Sequence, residues 1–222
     1  CAVPGCWHVM GVTQAAGLSL KWFRDNLAEF YKEEAEKQGV DSYDLINQDV
    51  ENVPIGSRRL LYLPYLMGER TPHLNPNCRG VFFGLSAIHT KADMLRAVME
   101  GVSYSLSDCL DILREMQVDV SEMMACGGGG KSKIWRQMLA DMYGCEVKTI
   151  KAQEGPALGV AILAGVGAGI FNDVQSACRQ FIAQETYCQP EPASKAYYEK
   201  GHALYKKLYV QLKDCYEELA QL

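Results

Sequence analysis

Residues 123–133 read MMACGGGGKSK, a short apolar run followed by four consecutive glycines and a Lys-Ser-Lys segment. After this stretch, apolar residues recur at the three- and four-residue spacing of an amphipathic helix: Ile134, Trp135, Met138, Leu139 and Met142. The pattern therefore predicts a strand, a glycine turn and a helix, in that order. Because each glycine costs backbone entropy, a run of four indicates that a ligand or another chain segment approaches the main chain closely.

The start of a helix after such a turn is suited to binding a nucleotide, because it offers free N–H groups and the positive end of the helix dipole. The last three residues of the Walker A pattern G-x-x-x-x-G-K-[ST] match Gly130, Lys131 and Ser132, but its first glycine falls on Ala125. We interpret the turn as a nucleotide cradle of another kind. The alternative is a plain strand-to-helix turn whose glycines only avoid steric clashes.

The composition is that of an ordinary globular protein with a substantial core: 222 residues, 48% hydrophobic and 22% charged. A net charge of -5 without a basic cluster argues against nucleic acid as a partner. Nine scattered cysteines, with no C-x-x-C pair, predict reduced thiols and a cytoplasmic location. The apolar run at residues 156–166 is shorter than the ~18 residues of a membrane span, so it predicts a buried helix and no membrane partner. The chain begins with Cys1 and no methionine, which hints at a fragment.

The first part of the chain predicts a strand over residues 6–13 and one helix from Ala15 through Phe30 that stops at Gly39. On that helix, Gly17 and Lys21 lie one turn apart on the same face, where they would suit a phosphate or a ribose. A close-packing glycine and a solvated lysine are the alternative.

The middle of the chain predicts a helix over residues 42–50 capped by Asp41, and strands over residues 60–63 and 81–85. The intervening loop, residues 65–80, is long enough to be functional. A surface loop pinned by an ion pair of Glu69 with Arg70 or Arg79 is the alternative. His73 in the same loop is by itself no evidence of catalysis or of a metal site.

The second half predicts helices and strands that alternate as in an α/β domain. Thr90 is expected to cap a long helix with one buried stripe, leaving Asp108, Asp111 and Glu115 in solvent. A strand is expected at residues 146–150. The last helix, from Ser194 on, is expected to pack through a stripe that comprises Leu204, Leu208, Leu212, Cys215 and Leu219.

A longer motif lies at residues 80–100, which read Gly80-x-Phe82-x-Gly84-Leu85, seven residues, and then Asp93-Met94-x-x-Ala97-Val98-Met99-Glu100. This pattern resembles the C-terminal signature of the FGGY carbohydrate kinases at every required position, and the glycine turn follows at a family-like distance. Within the family, residues 3–8, 20–25 and 66–73 are most similar to the members that phosphorylate D-xylulose. The resemblance covers nearly the whole chain as the second lobe of a two-lobed enzyme.

The resemblance implies an α/β fold of the ribonuclease-H-like, actin and hexokinase type, with a mixed sheet and helices on both faces, over residues 1–222. It implies ATP and Mg²⁺ as cofactors, and transfer of the γ-phosphoryl group of ATP to D-xylulose to give D-xylulose 5-phosphate. The nucleotide contacts of the family fall on Gly17, Lys21, Gly127, Gly128 and Ser132. Family members often carry alanine where Gly130 stands, so glycine is expected to loosen the turn there.

The resemblance assigns no catalytic residue and no metal ligand to this chain. The general-base aspartate and the hairpin that holds the ATP phosphates belong to the family's N-terminal lobe, upstream of Cys1. That lobe, the sugar and ATP are the expected partners, a homodimer is a possible assembly, and the chain alone is expected to be inactive. The alternatives are an FGGY kinase acting on gluconate, ribulose, rhamnulose or glycerol, and a stand-alone nucleotide-binding module.

Overall fold

The computed structural model describes residues 2–151 and 155–222, which contain nine helices and five strands. In chain order these are α1 (Ala16–Leu27), α2 (Phe30–Gln38), α3 (Ser42–Glu51), β1 (Leu61–Leu63), β2 (Val81–Phe83), α4 (Lys91–Glu115), β3 (Glu122–Met124), α5 (Gly127–Lys131), α6 (Lys133–Tyr143), β4 (Glu146–Ile150), α7 (Gly155–Gly167), α8 (Val174–Phe181), β5 (Gln184–Cys188) and α9 (Pro192–Leu219).

The strands form two small sheets. β1 and β2 are antiparallel, with Tyr62 opposite Phe82. β4 lies at the centre of the second sheet, where it pairs in parallel with β3 and antiparallel with β5, so that Val147 faces Met123 on one side and Cys188 on the other. The second sheet is therefore mixed, as the sequence predicts, and β3 leads directly into the glycine turn.

Helix α4 lies at the centre of the main hydrophobic core and packs against β1, α1, α3 and α6. Thr90 caps it as predicted: its hydroxyl accepts from the Asp93 N–H at 3.4 Å, and the Asp93 carboxylate accepts from the Thr90 N–H at 2.8 Å. Where α4 crosses β1, a Cβ on Gly101 would lie 2.1 Å from the carbonyl oxygen of Tyr62. Glycine is therefore required at this crossing.

The last acid of the family signature, Glu100, is buried and holds a left-handed turn in place. Its carboxylate accepts from the Gly56 N–H at 2.9 Å, the Ser57 hydroxyl at 2.8 Å and the Arg96 Nε at 2.9 Å. Residues 56–59 all have positive φ, between 48° and 78°, and three of these four residues are not glycine. Since such a conformation costs roughly 1–2 kcal/mol per non-glycine residue, these hydrogen bonds offset its strain.

Two predictions for the first part of the chain are wrong. Residues 6–13 form an irregular, mostly exposed segment instead of a strand, because the backbone of Val12 bonds to the side chain and backbone of Thr71 in a loop and not to a neighbouring strand. The predicted single helix is two helices, α1 and α2, which are separated at Ala28 and Glu29. Gly39 ends α2 as predicted, with a φ of 68°.

The two apolar helices of the second half also differ from prediction. On α9, the buried hydrophobic residues are Tyr198, Tyr205, Leu208 and Tyr216, whereas Leu204 and Leu219 are exposed. The tyrosines form the buried stripe because their rings reach aromatic partners on other elements, such as Tyr65 and Tyr104. Helix α7 was expected to be buried, but Val160 is 66% exposed there.

Asp108 was expected in solvent, yet it is 4% exposed. Its Oδ1 lies 2.7 Å from His202 Nε2, because α9 crosses α4 at this point and brings a basic side chain over it. Asp111, half-buried, pairs with Lys206 at 3.1 Å, and Glu115 is exposed as predicted. Asp108, Asp111 and His202 lie close enough to share a metal ion, but His202 and Lys206 already pair with the two carboxylates.

All eight cysteines of the described residues are free thiols. Within the same residues, no helix combines the length and the apolar character that crossing a bilayer would require.

Candidate functional site

Three helices and the glycine turn surround a cavity of about 290 Å³. Gly17 and Leu20 of α1 lie on one wall, the first half of α3 on a second, and Gly128, Gly129, Lys131 and Ser132 on a third, with the Trp135 ring of α6 behind them. The volume is at the lower end of the roughly 300–1,000 Å³ of small-molecule sites. We call this space the helix cavity.

The glycines of the turn lie in the short helix α5, and their surroundings differ. Gly127 has a φ of 71°, which favours glycine. A Cβ on Gly130 would lie 2.9 Å from the backbone of Ala125, so this residue packs against the chain just after β3 and does not merely loosen the turn as expected. A Cβ on Gly128 would meet no atom of the described chain within 4 Å, and its φ is not in the left-handed region.

Steric clashes therefore explain Gly130, and backbone conformation explains Gly127, but neither explains Gly128. A glycine inside a helix costs roughly 1 kcal/mol relative to alanine. At Gly128 this cost has no compensation within the described chain, and the open side faces the helix cavity. The contacts of the turn thus agree with the clash-avoidance interpretation at Gly130 and with the nucleotide-cradle interpretation at Gly128.

The start of α1 provides a second polar element beside the cavity. Ala15 occupies the N-cap position and has no side chain that could accept from the first N–H groups of the helix. A Cβ on Gly17 would meet no atom of the described chain within 4 Å, so Gly17 is not a close-packing glycine. Among the described residues, no side chain caps the first N–H groups of α1, which lie next to an unobstructed wall.

Of the five residues predicted as nucleotide contacts, Gly17, Gly128 and Ser132 line the helix cavity together. Gly127 faces a different space on the other side of the turn, of about 520 Å³, which is also lined by Arg136 and Lys151. Lys21 lines neither space. Its side chain is 61% exposed, and its Nζ lies 3.0 Å from the carboxylate of Asp25.

Ser132 connects the turn to α3 and α6. Its Oγ accepts from the Trp135 N–H at 3.2 Å, which caps α6, and its hydroxyl donates to Oδ1 of Asn47 at 2.8 Å. The α3 wall, which includes Asp44 and Asn47, was not predicted as part of the site. The sequence does predict a helix capped by Asp41, and Asp41 indeed accepts from the Tyr43 N–H at 2.9 Å. Nothing in that pattern indicates which other elements α3 contacts.

The loop at residues 65–80 is tied to the start of α1 through Glu69. Its buried carboxylate accepts from the Thr13 hydroxyl at 2.7 Å, the Gln14 N–H at 3.0 Å and the Ser105 hydroxyl at 3.1 Å. Within the described chain, Glu69 forms no ion pair, so the alternative of a pairing with Arg70 or Arg79 is wrong. The loop instead fixes the two residues that lead into α1.

His73 of the same loop packs against an aromatic side chain. Its ring stacks on Tyr209 with 3.3 Å between centroids, and burial lowers the pKa of its imidazole. None of these contacts places His73 near the helix cavity.

The structure is similar to solved sugar kinases. Ligand-bound xylulose kinase from Lactobacillus acidophilus superimposes with a TM-score of 0.80 at 30% identity, over 93% of this chain and 40% of that one. The fold is therefore that of the sugar kinases, the ribonuclease-H-like, actin and hexokinase type that the sequence predicts.

Residues 2–168 match the model of the FGGY family of carbohydrate kinases, C-terminal domain, and the chain belongs to that family. Xylulose kinase of Staphylococcus epidermidis is 38% identical over 98% of this chain, and gluconokinase of Bacillus subtilis is 35% identical over 86% of it. The chain spans 42% of the length of the first of these relatives and 37% of the second.

Proposed function

We propose that this chain is the nucleotide-binding C-terminal lobe, residues 1–222, of an ATP-dependent sugar kinase. The observation that carries the proposal is the helix cavity, where Gly17, Gly128 and Ser132 meet at the starts of α1 and of the glycine helix. Both glycines leave room for a ligand where any other residue would place a Cβ. Free N–H groups at the start of α1 supply positive potential for phosphate oxygens.

In this proposal the five residues predicted to contact the nucleotide have different roles. Gly128 and Ser132 flank the base and ribose, while Gly17 lies at the side of the phosphates. Gly127 supplies the backbone conformation that starts the glycine helix, since its φ is 71°. Lys21 contributes to phosphate binding if its ammonium leaves Asp25, 3.0 Å away.

Mg²⁺ enters this scheme as the complex with ATP, where it neutralises phosphate charge during transfer. The described walls of the helix cavity fit a nucleotide, because they combine an apolar ring, open glycines and a few polar groups. The residues of this chain bind and orient ATP. The general base that takes the proton of the sugar hydroxyl lies outside residues 1–222.

The substrate that we propose is D-xylulose, phosphorylated on its 5-hydroxyl group to D-xylulose 5-phosphate. Similarity to xylulose kinases, at 38% identity for the relative from Staphylococcus epidermidis, supports this choice. Gluconate is the main alternative sugar, because the gluconokinase of Bacillus subtilis is 35% identical. A nucleotide-binding module without catalysis is the alternative of another class.

The partner that covers this lobe is, in our proposal, the N-terminal lobe of the same protein. Helix α7 supports this idea, since it is rich in apolar residues yet largely exposed, as at Val160. Two lobes that close over MgATP and sugar would exclude water from the transferred phosphoryl group. The exposed face of α7 is expected to be buried in the assembled enzyme.

The test is ATP-dependent phosphorylation by the full-length protein, with D-xylulose, D-gluconate, D-ribulose, L-rhamnulose and glycerol supplied separately. A clear preference in kcat/KM for D-xylulose is expected. Preference for another sugar would contradict the proposed substrate but not the proposed kinase activity. ATP binding without turnover on any sugar would favour a nucleotide-binding module without catalysis. As a control, the Gly128→Val variant should fold and lose activity, because its side chain enters the helix cavity.

A further inference from the structure

The α3 wall of the helix cavity carries two polar side chains that the family motif does not include, Asp44 and Asn47. They lie three residues apart on one helix, which places them on the same face, with roughly 5–6 Å between their Cβ atoms. Both line the cavity beside Ser132. This pair therefore faces whatever occupies the space between α3 and the glycine helix.

The hydrogen bonds of the wall leave polar atoms of both Asp44 and Asn47 available to a ligand. Asn47 uses Oδ1 to accept from the Ser132 hydroxyl at 2.8 Å, while its Nδ2 has no hydrogen-bond partner among the residues that the structure describes. The Asp44 carboxylate is exposed and forms neither a side-chain hydrogen bond nor an ion pair within that part of the chain. Asp41, by contrast, is already engaged with the Tyr43 N–H at the helix cap.

The Ser132 hydroxyl cannot replace the Asn47 amide as a hydrogen-bond donor to a ligand. A serine hydroxyl has one hydrogen and two lone pairs. Its hydrogen is directed to Asn47 and one lone pair accepts from the Trp135 N–H. Polar selection by this wall thus depends on the Asn47 Nδ2 donor and the Asp44 acceptor. Lys131 also lines the cavity, but from the glycine helix and not from this wall.

We propose that Asp44 and Asn47 read the edge of the purine base and select adenine over guanine; this inference rests on the proposed function. The Asp44 carboxylate accepts from the exocyclic amino group of adenine, and the Asn47 Nδ2 donates to the neighbouring ring nitrogen. Adenine offers this donor and acceptor side by side, whereas guanine presents the O6 acceptor where adenine has its amino group. With guanine in the same position, O6 would face the Asp44 carboxylate without a hydrogen between them.

The test measures kcat/KM for ATP and for GTP with the full-length protein and its best sugar. The wild type is expected to prefer ATP by at least about tenfold, because an acceptor that faces O6 is left unpaired. Asp44→Asn supplies an amide donor for O6, and we expect it to lower the ATP/GTP ratio of kcat/KM about tenfold. Since Asp44 is exposed, this variant should fold.

Two further variants separate base reading from a general charge effect. Asn47→Asp keeps the acceptor for Ser132 but removes the donor, so KM for ATP should rise about tenfold. Glu51→Gln removes one negative charge from the exposed end of the same helix, away from the cavity, and should leave the ATP/GTP ratio unchanged.

Several results would overturn the inference. These are an active wild type that does not discriminate between ATP and GTP, an Asp44→Asn variant whose ratio stays within twofold of the wild type, or an equal change in Glu51→Gln. A wild type without kinase activity on any nucleotide and sugar would instead contradict the proposed function.

Discussion

Replacing one glycine by alanine should have opposite consequences at Gly128 and at Gly101. Both are helical glycines outside the left-handed region of φ, so the backbone tolerates alanine at either position. A Cβ on Gly128 meets no described atom within 4 Å, but one on Gly101 would lie 2.1 Å from the Tyr62 carbonyl oxygen. The same methyl group therefore enters the helix cavity in one variant and the packed core in the other.

The expected magnitudes follow from these contacts. Gly128→Ala should stabilise the chain by about 0.4–1 kcal/mol, because alanine loses less backbone entropy on folding. For a chain of this size, that is a rise in melting temperature of about 1–4 °C. Gly101→Ala should destabilise it by about 3 kcal/mol or more, since neither α4 nor β1 can move freely within the core.

Nucleotide binding should be weakened in Gly128→Ala and not in Gly101→Ala. A methyl group that crowds the bound nucleotide costs about 1–3 kcal/mol, which is roughly a 5- to 150-fold rise in KM for ATP in Gly128→Ala. Gly101→Ala should leave KM for ATP within about twofold in the fraction that remains folded. The assays are thermal and urea denaturation of the 222-residue chain and ATP kinetics of the full-length protein. A stabilised Gly128→Ala variant with unchanged KM would refute the cradle argument.

Three further predictions concern buried groups. Glu100→Gln should lower the unfolding free energy by about 3–5 kcal/mol in urea titrations, because buried Arg96 loses its counter-charge and the turn at residues 56–59 loses one of its two acceptor oxygens; a loss below 1 kcal/mol would contradict this. Burial lowers the pKa of His73 below its unfolded value of 6.5, so the unfolded state binds more protons and stability should fall as pH drops below about 6.5. His73→Phe keeps the stacking on Tyr209 and should flatten that dependence, and an unchanged slope between about pH 5 and 7 would count against it. Burial raises the pKa of the Cys78 and Cys109 thiols to about 11. A disulfide reagent at pH 8 should therefore label the exposed thiols of Cys6, Cys126 and Cys215 first. Because Cys126 lies beside the glycine turn, ATP should slow the labelling of Cys126 alone.

Much of the local structure could be predicted from the sequence, because it depends on residues close together in the chain. The cap at Thr90 needs Asp93 three residues later, and the end of α2 needs the left-handed conformation of Gly39. The strand, glycine turn and helix at residues 122–143 follow from the same kind of information. The signature at residues 80–100 further predicted the family, which the match over residues 2–168 confirms.

Contacts between distant segments decided what the sequence pattern left open. Hydrophobic periodicity predicts a buried face but does not say which partner covers it, so it failed for α7, for the tyrosine stripe of α9 and for residues 6–13. Asp108 has the sequence context of a solvated acid, yet His202 pairs with it from a helix 94 residues away in the chain. A contact of this kind is visible only once the two helices are packed.

The candidate site likewise combines features that the sequence predicts with features that only the structure shows. The sequence by itself determined that a glycine turn precedes a helix, that Gly17 stands near the start of another, and that the chain resembles FGGY kinases. The tertiary structure decided that Gly17, Gly128 and Ser132 share one cavity, that Lys21 and Gly127 lie outside it, and that α3 closes it through Asn47. The physical reason is that a cap or a turn is satisfied by neighbours in the chain, whereas a cavity is defined by side chains that only packing brings together.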